Sequence, residues 1–143
     1  MYDQVLFPTD GSDGADAAAD VAFALAGRFD APVHALYVVD ERFVADEFDA
    51  PVEAAEREAA AALEAASDRG TEHGVSVEKH LRRGVPHEEI LDAVDDYAAD
   101  LVVMGTHGRT GLDRFRHVGS VTERVVRSAT VEVHTVPADR DDG

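Results

Sequence analysis

The chain has 143 residues, 45% of them hydrophobic, enough for one domain to close a core without covalent staples. It has no cysteine, so disulfides and thiolate metal centres are excluded. Thirty acids face thirteen bases, for a formal net charge of -17, and a surface so acidic repels phosphate backbones and argues against a nucleic-acid partner.

Lys79 is the only lysine; the other bases are arginine. The acids lie on well-patterned helices rather than in one tail. That distribution suits a very salty cytoplasm, where ionic strength screens self-repulsion. The plainer alternative is an acidic protein with no special habitat. No apolar run is long enough to span a bilayer and no leader pattern opens the chain, so a cytoplasmic protein without membrane contact is expected.

Residues 4–9 form an apolar run ending in Thr9, Asp10 and Gly11, the pattern of a buried strand and a turn. Ser12 caps the helix that follows, with Asp13 and Asp16 in its first turn. Val21, Leu25 and Phe29 recur every four residues and predict its buried stripe. After Pro32, residues 33–39 read as a second strand. Residues 40–51 are an acidic connection carrying Phe43, Val44 and Phe48, and 53–73 an alanine-rich helix stopped by Gly74. Residues 75–82 alternate, with Val75, Val77, Lys79 and Leu81 on one face. Pro86 suits the first turn of a third helix, whose apolar stripe is Ile90, Leu91, Val94 and Tyr97. Residues 101–104 are fully apolar, 105–111 are a glycine-rich loop, and Gly119 and Ser120 open a fourth helix carrying Val121 and Val125. Residues 131–136 are a fifth strand. The domain is expected to span 1–137, with 138–143 a flexible tail.

Strands alternating with helices imply a parallel sheet with right-handed crossovers. Interior strands of such sheets are apolar throughout, whereas edge strands alternate. The first, second and fourth strands are continuous; the third and fifth alternate. The expected fold is therefore α/β, a five-stranded parallel sheet in the order 3-2-1-4-5 with helices on both faces. Its switch point lies between the first and fourth strands, and ligands bind beyond the carboxyl ends there. Those ends carry Thr9–Asp10–Gly11 and the loop 105–111.

Gly105, Gly108 and Gly111 let backbone amides approach a phosphate, and the helix opening at Gly119, Ser120 and Val121 adds unpaired N–H donors. Between residues 105 and 127 stand five arginines (109, 114, 116, 124 and 127) against Asp113 and Glu123, while the rest of the chain holds eight bases and twenty-eight acids. A bound polyanion accounts for this basic stretch; pairing with acids on a neighbouring subunit is the alternative. Residues 120–123, Ser-Val-Thr-Glu, also match a capping box, which would occupy the Ser120 hydroxyl.

The run Gly105-Thr-His-Gly108, continued by Gly119-Ser120-Val-Thr-Glu, resembles the signature of the universal stress protein family: Gly, two residues, Gly, nine residues, Gly, then Ser or Thr. The resemblance covers the whole chain, including the Pro-Thr-Asp ending of the first strand, residues 36–40, and Gly84-Val-Pro-His-Glu-Glu-Ile90. It implies a Rossmann-like fold of the adenine nucleotide α-hydrolase type. It also implies ATP with magnesium as the ligand: Pro8, Thr9, Asp10 and Val38 at adenine and ribose, Met104 and Gly105 beside the sugar, and Gly108, Gly119, Ser120 and Val121 on the phosphates, with His107 and Arg109 close by. Magnesium would be held mainly by phosphate oxygens. One departure stands out. Ten residues, not nine, separate Gly108 from Gly119, and Phe115-Arg116-His117-Val118 replaces a usually apolar stretch.

That departure keeps two readings open. In one the chain is an ATP-responsive switch or regulator; in the other it is a dimeric stress or interaction protein with a degenerate glycine loop and no nucleotide. The resemblance further implies a homodimer built on the last strand through Val131, Val133 and Thr135, an edge open to pairing. Glu132 and His134 share a face there, to pair across the axis or to meet water. No catalytic residue is identified: no Ser–His–Asp context is present, and His107 and Asp10 are the only groups near a γ-phosphate, so binding with at most slow hydrolysis is expected. His107 and His117 fit no standard metal spacing. His34, His73, His80 and His87 read as surface or strand-edge histidines.

Overall fold

Residues 1–40, 49–106 and 119–137 are described in a computed structural model, residues 49–52 by their backbone alone. Strands β1 (Val5–Pro8), β2 (Val33–Asp40), β3 (Val77–Gly84), β4 (Leu101–Gly105) and β5 (Glu132–Val136) alternate with helices α1 (Asp13–Phe29), α2 (Asp49–His73), α3 (Pro86–Asp96) and α4 (Ser120–Ser128). All strand pairs are parallel, and the order is β3-β2-β1-β4-β5. The expected α/β architecture and strand order are both present. Burial explains why the pattern was readable: β1 is buried throughout and β4 nearly so, whereas β3 and β5 are half-covered edges.

Side chains of successive strand residues point to opposite faces and build two cores. Val5, Phe7, Val33, Ala35, Tyr37, Leu101 and Val103 meet α1 and α2. Leu6, Leu36, Val102 and Met104 meet Ile90 and Val94 of α3 and Val125 of α4.

The Ser12 hydroxyl accepts the Ala15 N–H at 3.2 Å, and Asp13 and Asp16 occupy the first turn of α1, as its N-cap predicts. The stripe expected on this helix needs correction. Val21 and Leu25 are only partly buried and Phe29 is 37% exposed; the buried face is Ala15, Ala18, Ala19, Ala22, Phe23 and Ala26. Small side chains let α1 lie close to the sheet, so the interface is chosen by volume, and the larger residues sit on its shoulders. Helix α2 starts four residues before the expected 53, with Pro51 in its first turn where the missing N–H costs nothing. It ends at Gly74, whose φ of 69° suits only glycine without strain. The connection around Phe43, Val44 and Phe48 lies outside the described residues, as does 138–143.

The edge β3 also departs from expectation. Leu81 is 45% exposed, and from His80 onward the half-buried positions are His80, Arg82 and Gly84. Helix α3 covers that face. Arg82 donates from Nε to Glu89 at 2.8 Å and from Nη1 to Asp96 at 3.0 Å and to the Tyr97 hydroxyl at 3.3 Å. The bond to Glu89, then that to Tyr97, raises its pKa beyond the ordinary guanidinium range. On the opposite face, Lys79 binds Glu64 at 3.0 Å, and Arg83 binds Glu56. His34, expected at a surface or strand edge, is instead buried at 6% exposure on the interior strand β2.

Candidate functional site

The switch point between β1 and β4 is where sequence reasoning expects a ligand. β1 is flanked by β2 and β4, with Pro8 beside Leu36 and Leu6 beside Val102. Thr9 continues the β1 ladder, its N–H donating to the Leu36 carbonyl at 2.8 Å. The turn that follows is held by its own side chains: Gly11 N–H donates to Thr9 Oγ1 at 3.1 Å, and Ser12 N–H to Asp10 Oδ1 at 3.0 Å. Asp10 thus shapes the β1–α1 turn with one carboxylate oxygen.

Pro8, Val38 and Met104 lie on the sheet face covered by α3 and α4, near its carboxyl edge. Pro8 and Met104 are buried and Val38 is partly buried against the second core. Gly105 ends β4 under tight constraint. A Cβ there would stand 2.7 Å from the Gly14 carbonyl oxygen and 2.9 Å from its carbon, so only glycine lets α1 seat against β4.

The glycine loop leaves and re-enters the described structure at two bonded residues. Gly119 N–H donates to the Thr106 carbonyl at 2.6 Å, and Thr106 N–H donates to Val136 at 3.0 Å. Thr122, 4% exposed, adds a third tie, its hydroxyl donating to the Gly105 carbonyl at 2.7 Å. The start of α4 is thereby fixed to the ends of β4 and β5. Gly119 is the N-cap, and the first intrahelical bond runs from Glu123 N–H to the Gly119 carbonyl at 2.9 Å. The amides of Ser120, Val121 and Thr122 precede that bond and have no partner within the helix.

Two expectations change at this point. Ser120 is the first helical residue rather than the cap, so the Ser120–Glu123 capping box does not form. Arg127, counted with the basic stretch, forms an ion pair with Glu123 one turn earlier. His107, Gly108 and Arg109 lie outside the described residues, together with Arg114, Arg116 and His117. Thr122 is the site residue that sequence reasoning missed. Its place in Ser-Val-Thr-Glu was read as the interior of a cap, and only the fold turns its hydroxyl onto β4.

A second concavity was also not foreseen. A cleft of about 380 Å³ opens between α1 and α2, lined by Phe7, Thr9, Gly11, Ala19, Glu58 and Arg69 among others. Of the predicted site residues it takes in only Thr9, because Phe7 and Pro8 point to opposite faces of the sheet. Arg69 at this cleft is engaged by Asp16 and Asp20.

At the last strand, Val131 precedes β5, and Val131 and Val133 pack partly buried toward the second core; Thr135 is half-buried. Glu132 accepts the Tyr2 hydroxyl within the chain, a partner that sequence reasoning did not consider, and this bond raises the Tyr2 pKa. His134 is exposed. Among the described residues no strand pairs with the outer edge of β5.

Comparison with known proteins agrees with this fold. Residues 1–137 match the model described as the Universal stress protein family. Universal stress protein MJ0531 of Methanocaldococcus jannaschii is 39% identical over 141 residues, covering 95% of this chain and 82% of the relative. The solved structure of MJ0577, from the same organism, superposes with a TM-score of 0.86 at 30% identity and covers 99% of both chains. A universal stress protein solved in complex with cAMP superposes with a TM-score of 0.74 at 27% identity, covering 96% of this chain and 98% of its own.

Proposed function

This chain belongs to the universal stress protein family, and from that premise we propose that it binds an adenine nucleotide, ATP with magnesium, at the carboxyl end of the sheet and acts as a nucleotide-dependent switch or dimeric regulator. One observation carries the reading. The N-terminus of α4 is tied to the end of β4 by the 2.6 Å bond between Gly119 and Thr106, with the amides of Ser120, Val121 and Thr122 unpaired in the helix. Converging N–H donors and the positive end of a helix dipole favour a phosphate. The relative solved with cAMP supports an adenine nucleotide as the ligand class.

Pro8, Thr9, Asp10 and Val38 hold the adenine and ribose, and Met104 and Gly105 border the sugar. Ser120 and Val121 hold phosphate oxygens, together with Gly108, His107 and Arg109 of the loop. Gly119 contributes close approach rather than a donor, because its amide already binds Thr106. Magnesium would be held mainly by phosphate oxygens and would supply charge neutralisation there. No general base is assigned, and hydrolysis is at most slow.

The chain works as a cytoplasmic homodimer paired along β5, and its acidic surface is an adaptation to high salt. No helix among the described residues is long and apolar enough to cross a membrane.

The test is nucleotide analysis of protein purified at high salt by mass spectrometry and ultraviolet absorption, followed by ATP titration of wild type and Gly108→Val with magnesium. Binding by wild type that is lost in the variant supports the glycine cradle. Failure of both at millimolar ATP overturns it and leaves the nucleotide-independent dimer.

A further inference from the structure

The opposite end of the sheet carries a cluster that nucleotide binding does not use. His34 sits on interior strand β2 between Val33 and Ala35, both fully buried. A buried imidazole is costly unless both ring nitrogens find partners. Nε2 meets the Gln4 amide oxygen at 2.7 Å. An amide oxygen only accepts, so Nε2 carries the proton and Nδ1 presents its lone pair toward the edge of the sheet. That lone pair faces His80 Nε2 at 3.1 Å and Glu78 Oε1 at 3.8 Å. His80 Nε2 and Glu78 Oε1 are 3.7 Å apart.

We propose that His34, Glu78 and His80 form a site for one divalent transition-metal ion of the zinc class. A triangle with these three sides has its centre about 2.1 Å from each corner, the length of a zinc–nitrogen or zinc–oxygen bond. Two imidazoles and one carboxylate suit zinc, cobalt or nickel and discriminate against magnesium, which takes oxygen ligands.

The arrangement is rigid for a physical reason. His34 and Glu78 are register partners on adjacent strands, and His80 follows two residues along on the same face. Tyr97, at the C-terminal end of α3, stacks on His80 with ring centres 4.0 Å apart and on His34 at 5.3 Å. Gln4 orients His34 through its distal nitrogen, as an outer-shell partner does in metal sites. The neighbouring cation Arg82 is held by Glu89 and Asp96, which offset its charge. The Glu78 side chain is 64% exposed, so an ion has a path from solvent and a water can complete the coordination.

The site is independent of the nucleotide loop, and its test uses no nucleotide. Chelator-treated protein is titrated with cobalt(II), followed by visible absorption, and with zinc(II), followed by calorimetry. The expected result is one ion per chain with the intense absorption of four-coordinate cobalt, unaffected by millimolar magnesium. His80→Gln and Glu78→Gln lie on the edge strand and tolerate polar side chains; each is expected to weaken binding at least about tenfold with the circular dichroism spectrum unchanged. Gln4→Leu leaves the three ligands in place and is expected to give a smaller loss. Absence of saturable binding overturns the site. Binding of equal strength in wild type and His80→Gln also overturns it, since the ion would then belong to the acidic surface at large.

Discussion

The two ends of this sheet are equipped in opposite ways. At the carboxyl end, the groups at the candidate site are mainly backbone: the first amides of α4, a glycine pressed on the first turn of α1, and a loop whose ends are hydrogen-bonded to each other. At the amino end they are side chains: Gln4 and His34 from the interior, Glu78 and His80 from the edge, and Tyr97 laid over them. A backbone site depends on what is missing at a position, and a side-chain site on what is present. The first is therefore sensitive to any added atom, the second to removal.

The sharpest way to break that contrast is Gly105→Val. Its Cβ would stand 2.7 Å from backbone oxygen of Gly14, which cannot rotate away as a side chain could, so α1 and β4 must separate. A loss of about 3 kcal/mol or more is expected in urea unfolding, near the upper end of overpacking costs. Magnesium–ATP titration of whatever folded protein remains should fail.

At the other end, Tyr97→Ala removes the ring over both histidines and one bond to Arg82. The expected loss is about 2 kcal/mol, from buried aromatic area and a partner lost by a cation. Nucleotide affinity should stay within twofold of wild type; a larger change would mean that the two ends are coupled.

Ser12→Ala tests the turn that joins β1 to α1 without touching the glycine loop. Loss of the cap is expected to cost about 1 kcal/mol, read as a shift in denaturation midpoint with an unchanged slope.

The smallest effect is expected for Lys79→Ala. Its bond to Glu64 joins two exposed side chains, and its removal should change stability by less than about 0.5 kcal/mol, and by less still in high salt.

How much could be read in advance differs between the two ends for the same reason. The carboxyl end was visible because its signals are local: continuous apolar strands, glycines at short spacing, and a helix beginning at Gly119. What escaped there was the use of individual groups. Ser120 entered the helix instead of capping it, Gly119 committed its amide to Thr106, and Thr122 turned its hydroxyl onto Gly105. The amino end was not visible at all. Gln4, His34, Glu78, His80 and Tyr97 come from four separate stretches of chain, and only the pairing of β2 with both β1 and β3 and the docking of α3 bring them together. His80 illustrates the change of environment: burial, then the neighbouring His34, lowers its pKa below the ordinary value, which no exposed edge histidine would show.

The sequence by itself determined the class of fold and the strand order, because continuous burial and alternation are properties of a single strand. Tertiary structure decided which face each element buries. Helix α1 turned its alanines inward because close approach to the sheet outweighs the larger area of Val21, Leu25 and Phe29. β3 turned His80 and Arg82 inward because α3 supplies Glu89, Asp96 and Tyr97 to receive them. Such choices depend on partners distant in sequence, and a polar side chain is buried only where those partners already stand.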